Sequence, residues 1–384
     1  MKIALAHHWI MSYRGGERVL EQIAELCPGS DVYVLTHDRT IDVPGVRDRK
    51  IHTSLLKHIP RIDQFYKHLL PMHPHAIRRM QVPSDVDLLI SSDASLIKGI
   101  PLGPQTKHVC YCHSPPRYLW ELGSDYKRAS RLTSLALDRF SDGLRKFDFE
   151  SAQNVDHFIA NSIFVSDRIR NYYNRDSTVV YPPVDTMAFD ATKAREDFDL
   201  VLSELAPYKR IDVAVEAYTK LGRRLVVIGD GSERKHLESI AGPTIEFKGR
   251  QPFDVVRKHF ETCRAFVFPG IEDFGITPVE AQASGAPVVA FRAGGALETV
   301  IENETGLFFE QQTADAMIAA IEMLETVSFD PARTRQQAER FSFDEFRRQF
   351  LQTLANWGYQ LPSYQNLFPS IGMVSGNFHS TVPI

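Results

Sequence analysis

The chain has 384 residues, too many for one ordinary core and suited to two domains of roughly 150 to 200 residues each. With 43% hydrophobic residues, 24% charged residues and a net charge of -4, the composition excludes a disordered chain and a polycationic nucleic-acid binder. Cys27, Cys110, Cys112 and Cys263 lack zinc-type spacing, and no run approaches the roughly 18 apolar residues of a membrane span, so a cytoplasmic protein with reduced thiols is expected.

The opening "MKIALAHHWI" is too short in apolar residues and too rich in histidine for a signal peptide. "KIALA" predicts a strand, and "GGERVLEQIAEL" the helix after it, stopped by Pro28 and Gly29. Gly15 and Gly16 lie between the two, where small residues let the backbone approach a ligand; a tight turn accounts for them equally well. "DVYVLT" is the next strand. The segment from Leu55 to Met80 then mixes Lys57, Arg61, Lys67, Arg78 and Arg79 with Leu55, Leu56, Phe65, Tyr66, Leu69 and Leu70, a pattern that suits an anionic membrane surface or helices packed on the domain with a basic outer face. Asp85 and Asp87 form a turn opening the strand "DLLIS", and "KHVCYC" and "HFIAN" are further strands, with a helix from about Ser130 to Ala152 between them. "PPRYLW" supplies Arg117, Tyr118 and Trp120 as candidates for an acceptor pocket.

Pro182 and Pro183 stop regular structure, and the charged segment after them lacks a core-facing pattern, which places a domain boundary there. Alternation restarts with "DLVLS", "RLVVIGD", "IEFKG", "AFVFPG" and "PVVAF". The fold class is therefore α/β, with two doubly wound sheets in tandem and a cleft at the carboxyl ends of their strands. In "IEDFGITPVE", Thr277, Pro278 and Glu280 fit a capping box with Thr277 at the N-cap. The same helix, starting just after Gly275 at the end of a core strand, would offer free N–H groups and a positive dipole end to a diphosphate. Glu272 precedes the helix and suits hydroxyl groups of a sugar beside the phosphates. Lys209, in "APYKR", can neutralise phosphate, although a solvated surface lysine is the plainer alternative. Beyond Phe341, "FDEFRRQFLQTLANW" is an amphipathic helix.

"E-DFGITPV-E" resembles the E-x7-E motif of retaining glycosyltransferases of family 4, and "RGGER", "YCHSPPRYLW", "HFIANS", "VVYPPVD", "APYKRID" and "GLFFE" follow in that family's order. The resemblance implies a GT-B fold of two facing Rossmann-like domains with a C-terminal helix crossing back to the first. It assigns an acceptor-side unit to 1–183, a nucleotide-sugar-binding unit to 184–340, and the crossover helix and tail to 341–384. It also implies roles: Glu272 beside the transferred sugar, Glu280 on the donor ribose, Lys209 on the diphosphate, Phe274, Gly275, Ile276 and Thr277 at sugar and phosphate, Gly15 and Gly16 closing on the same phosphates, and His113 by the donor sugar. What it implies of activity is metal-independent, retaining hexosyl transfer, with no cofactor beyond a GDP- or UDP-linked sugar donor. Its more particular likeness is to bacterial mannosyltransferases of polysaccharide assembly, with GDP-mannose as donor, a lipid-linked glycan as acceptor and a peripheral contact on the inner face of the membrane. A UDP-sugar-dependent transferase and a non-catalytic nucleotide-sugar-binding module are the alternatives. One position departs from the family: an arginine is common five residues before the phosphate lysine, and here it is Glu204. Glu204 is expected to turn away from the diphosphate, either to pair with a cation, Arg210 or Arg250 being candidates, or to contact the acceptor or a donor hydroxyl; the sequence leaves these open.

Overall fold

The structure, a computed structural model, describes residues 1–62, 66–121 and 131–361. The described residues form thirteen short strands in two all-parallel sheets, most of them apolar runs. The first contains β1 (Ile3–His7), β2 (Asp31–Val34), β3 (Ile51–Thr53), β4 (Leu88–Asp93), β5 (Lys107–Cys112), β6 (His157–Ala160) and β7 (Ser177–Val179) in the order β3-β2-β1-β4-β5-β6-β7. The second contains β8 (Asp199–Leu202), β9 (Leu225–Ile228), β10 (Ile245–Gly249), β11 (Ala265–Phe268), β12 (Val288–Phe291) and β13 (Gly306–Phe309) in the order β10-β9-β8-β11-β12-β13. Both orders reverse direction next to their first strand, which is the switch point of a doubly wound sheet and the place where such sheets open a crevice. The expected two-sheet α/β architecture is therefore present. β3, β7 and β13 were not among the expected strands: the first two are only three residues long and mixed in polarity, and "GLFF" is an apolar run too short to declare its type.

Helices cover both faces. Those that matter for the site are α1 (Gly15–Leu26), α2 (Arg131–Gln153), α3 (Ile163–Tyr173), α4 (Ile276–Ala283) and α5 (Phe343–Asn356). α1 follows β1 directly and buries Val19, Leu20 and Ile23 against the first sheet. Although α5 comes after the second sheet in the chain, Phe346, Phe350, Leu351 and Leu354 lie in the same core as Leu5, Ile23 and Val109 of the first. Arg347 adds a hydrogen bond to Gln22 of α1 at 2.9 Å, and the Trp357 ring stacks on His157 at 4.3 Å. The chain thus crosses between the sheets twice, and the two crossings run side by side, Val184 N–H donating to Phe341 O at 2.8 Å. The tail beyond residue 361 lies outside the described residues. All four cysteines are free and buried.

Candidate active site

Two loops of the second sheet meet at its switch point. Pro207–Lys209 follows β8, and Gly270 ends the run from β11; a Cβ at Gly270 would lie 2.9 Å from Lys209 O, so only glycine allows this backbone contact. On the other side, Gly295 N–H donates to Glu272 O at 3.0 Å, and a Cβ at Gly295 would fall 2.3 Å from Phe274 Cα. The Ala293–Gly295 turn therefore clamps the backbone that carries Glu272. Held from both sides, the Glu272 carboxylate contacts the Lys209 ammonium, with 21% and 15% of the side chains exposed. Burial, with the Arg117 cation beside it, pulls Lys209 down to about 8, while the anions of Glu204 and Asp273 oppose that loss.

α4 begins differently from the capping box expected for Thr277 and Glu280. Its N-cap is Gly275, in the left-handed region at φ 88°, with no side-chain cap. Glycine adopts that conformation without strain, so the N-cap falls two residues before Thr277 and the helix begins at Ile276, with Pro278 in the first turn where its missing N–H costs nothing. The consequence is a helix N-terminus at the cleft whose free N–H groups are unspent on side chains. Glu280 then lies past the first turn, buried, and accepts a hydrogen bond from Arg18 Nη1 of α1 at 2.8 Å. Burial pushes its carboxyl up and Arg18 holds it back.

The first sheet presents histidines at its own switch point. Ser92 Oγ, at the end of β4, is 3.1 Å from His7 Nδ1 and 2.7 Å from His113 Nε2. The His7 and His8 rings lie with centres 4.0 Å apart, tilted at 42° to one another. Burial keeps all three neutral, His113 being lowered to about 3 with His8 contributing. A Cβ at Gly16 would sit 3.6 Å from His7, 3.7 Å from His8 and 3.9 Å from His113, so the start of α1 lies over this cluster. A Cβ at Gly15 would instead be 2.5 Å from Ile276 Cδ1, at the start of α4. The two glycines thus bring Gly15, Gly16, His113 and the start of α4 into one cleft.

The three candidates in "PPRYLW" separate. Arg117 stays at the cleft, its guanidinium 5.6 Å from the Tyr208 ring centre and adjacent to Ile271 O. The other two spend their polar ends inward: Tyr118 OH lies 3.0 Å from Ser95 Oγ, and Trp120 Nε1 donates to Asp148 at 2.7 Å. Asp148 belongs to a fully buried ion cluster in which Lys98 lies 2.5 Å from Asp148 and 3.3 Å from Asp93. An open cavity of about 720 Å³ lies at the edge of the first sheet, lined by His37, Arg39, Arg49, His52, Lys57 and His58 among others, with no carboxylate among the described residues of its wall. In the neighbouring segment Leu56 is buried and Leu55 exposed; Phe65 and the Lys67 side chain lie outside the described residues.

Several pairs across the cleft escaped the sequence. Glu204 is bonded by neither Arg210, which pairs with Asp212 at 3.0 Å, nor Arg250, but by Arg14 Nη1 at 3.0 Å. Arg168 Nη1 donates to Asp273 at 2.5 Å, and Ser162 Oγ to Asp273 O at 2.6 Å. Glu298 caps α3 from the other domain, accepting from Ile163 N at 2.7 Å and Phe164 N at 3.1 Å. Partners more than a hundred residues apart carry no local signal. The charged residues were visible; their pairing was not.

Among family profiles, "Glycosyltransferase Family 4" matches residues 13–187 and "Glycosyl transferases group 1" residues 187–341. A glycosyltransferase of Methanocaldococcus jannaschii is 24% identical over 305 residues, covering 78% of this chain and 81% of its own. The GDP-mannose-dependent alpha-(1-6)-phosphatidylinositol monomannoside mannosyltransferase of Mycolicibacterium smegmatis is 31% identical over 170 residues, covering 36% of this chain and 44% of its own. The alpha-1,3/1,6-mannosyltransferase ALG2 of Dictyostelium discoideum is 22% identical over 316 residues, covering 67% and 71%. Among solved structures, Anabaena HepE in complex with UDP superposes with a TM-score of 0.68 at 18% identity over 93% of this chain and 100% of that one. Sucrose-phosphate synthase from Thermosynechococcus elongatus gives 0.69 at 18% identity over 93% and 99%.

Proposed function

From the premise that this chain belongs to glycosyltransferase family 4, we propose that it transfers mannose from GDP-mannose, with retention of configuration, onto a lipid-linked oligosaccharide or polysaccharide precursor. The observation that carries the proposal is the Lys209–Glu272 contact beside the uncapped start of α4, facing Gly15, Gly16 and a neutral His113 across the cleft. As the glycosidic bond breaks, charge builds on the nucleoside diphosphate. Lys209 and the positive end of α4 stabilise it without a metal, and the Gly275, Ile276 and Thr277 backbone lies where sugar and phosphate would pass. When phosphate takes Lys209, Glu272 is released to accept hydrogen bonds from donor sugar hydroxyls. His113, unable to donate a proton as imidazolium near neutral pH, serves as a neutral hydrogen-bonding group beside the same sugar.

Retention through a covalent intermediate would use a carboxylate placed on the sugar as nucleophile. Glu272 is spent on hydroxyls and Glu280 on Arg18 and the donor ribose, so attack on the same face, with the departing phosphate taking the acceptor proton, is the mechanism proposed. Mannose is supported by the mannosyltransferase relatives from Mycolicibacterium and Dictyostelium, and GDP by the first of these alone; the basic cavity at the first sheet suits an anionic acceptor. A UDP-linked donor is the second reading, favoured by the HepE structures with UDP and UDP-glucose. A thermal-shift comparison of GDP, UDP and ADP separates them, since a ligand at a hundred times its dissociation constant stabilises by roughly 2.7 kcal/mol. GDP is expected to give the largest shift; a larger UDP shift selects the second reading.

A further inference from the structure

The charges at the proposed phosphate site do not balance a diphosphate. Lys209 and Glu272 cancel one another, the Arg117 cation beside Lys209 is offset by Glu121 at 3.9 Å, and Glu204 adds a further carboxylate to the loop after β8. The end of α4 supplies only about half a charge. What offsets Glu204 comes from the other domain, where Arg14 Nη1 donates to Glu204 Oε2 at 3.0 Å. Arg14 is the residue from which α1 departs, and its own N–H is held by Glu17 Oε2 at 3.0 Å. The next residue, Gly15, abuts Ile276. Arg14 is therefore fixed between the two segments on which the phosphate site rests, the loop carrying Lys209 and the start of α4. Its charge is felt at Lys209, where it disfavours the ammonium. Among the described residues its side chain makes one hydrogen bond, leaving most of the guanidinium fork for other oxygens.

We propose that Arg14 is the second cation of the donor-diphosphate site, carried in by the first domain and positioned by Glu204. This inference rests on the donor-site reading above. Neutralisation of the phosphates then requires both domains at once: an opened cleft leaves the diphosphate facing Lys209 beside two carboxylates, and closure adds the guanidinium. Glu204 acts as a positioning residue, its repulsion of phosphate offset by the arginine it holds.

The test is calorimetric titration of GDP and GMP, or of UDP and UMP where the thermal shift selects uracil, into the full-length wild type and variants of matched melting temperature. Arg14→Ala is expected to weaken the diphosphate at least about tenfold and the monophosphate less than about threefold, with Arg14→Lys between. Glu204→Arg places a cation on the second domain itself, so Arg14→Ala added to it should cost less than about threefold. Unchanged diphosphate affinity in Arg14→Ala, equal losses for di- and monophosphate, or the same loss in the Glu204→Arg background would each overturn the proposal. Lys209→Ala separates the two levels. If it loses affinity while Arg14→Ala does not, this inference falls alone. If Lys209→Ala binds like the wild type, or the wild type binds no nucleoside diphosphate, the donor-site reading falls and takes this inference with it.

Discussion

Glu280 and Lys209 are each held by a partner that binding must displace or share. Arg18 keeps 23% of its side chain exposed, so when its partner is lost it can return to water by parting the domains rather than by unfolding one. Glu280→Gln is therefore expected to weaken donor binding about tenfold, roughly 1.4 kcal/mol, with little change in melting temperature and a larger radius of gyration by small-angle scattering. An unchanged radius with full donor affinity would remove the pair from the closure of the cleft. Lys209 makes the site pH-sensitive. With its free-enzyme value near 8, the binding-competent ammonium is present below that pH and is lost as pH rises through it. Donor affinity should fall by up to about tenfold between pH 7 and 9, and Lys209→Arg, charged throughout, should flatten the profile. A profile that stays equally steep in Lys209→Arg would assign the titration elsewhere.

At the scale of elements, the strands of both sheets were legible because parallel strands buried on two faces read as apolar runs, and "KHVCYC" or "RLVVI" need no partner to be recognised. Short strands such as "STV" were not, since three residues carry no period. The start of α4 shows the limit of local chemistry. Thr277, Pro278 and Glu280 satisfy a cap by composition, yet a left-handed Gly275 starts the helix earlier, and that choice comes from the close approach of Phe268, 3.2 Å from where a Cβ would be. Glu272 and Lys209 could be singled out by motif, whereas the pairing of Arg14, Arg18 and Arg168 across the cleft could not. α5 carries a prediction of its own. Phe350 is wholly buried in the first core, so Phe350→Ala should cost about 3 to 5 kcal/mol by denaturant unfolding, and the loss should appear in the transition of the first sheet. A cost below about 1 kcal/mol would mean that α5 is dispensable to that core.

The molecule as a whole is two crevices facing one another, joined by paired crossings at Val184 and Phe341 and latched by Arg14–Glu204, Arg18–Glu280, Arg168–Asp273 and the Glu298 cap on α3. On the outer edge of the first sheet the basic cavity adjoins the segment from Leu55 to Met80. If that face meets the membrane, the protein should float with anionic vesicles more than neutral ones and less at high salt, and Arg39→Glu with Lys57→Glu should abolish the difference. Equal recovery with both vesicle types would oppose a peripheral contact there. The central claim, that the cleft transfers a sugar with Glu272 acting on it, is tested most directly by GDP release from GDP-mannose, compared between the wild type and Glu272→Ala. The account predicts slow release by the wild type without acceptor, and release lowered at least about a hundredfold in Glu272→Ala, roughly 2.7 kcal/mol, while GDP itself binds both equally. Release by Glu272→Ala at the wild-type rate, or a wild type that binds GDP yet releases none from GDP-mannose, would contradict it.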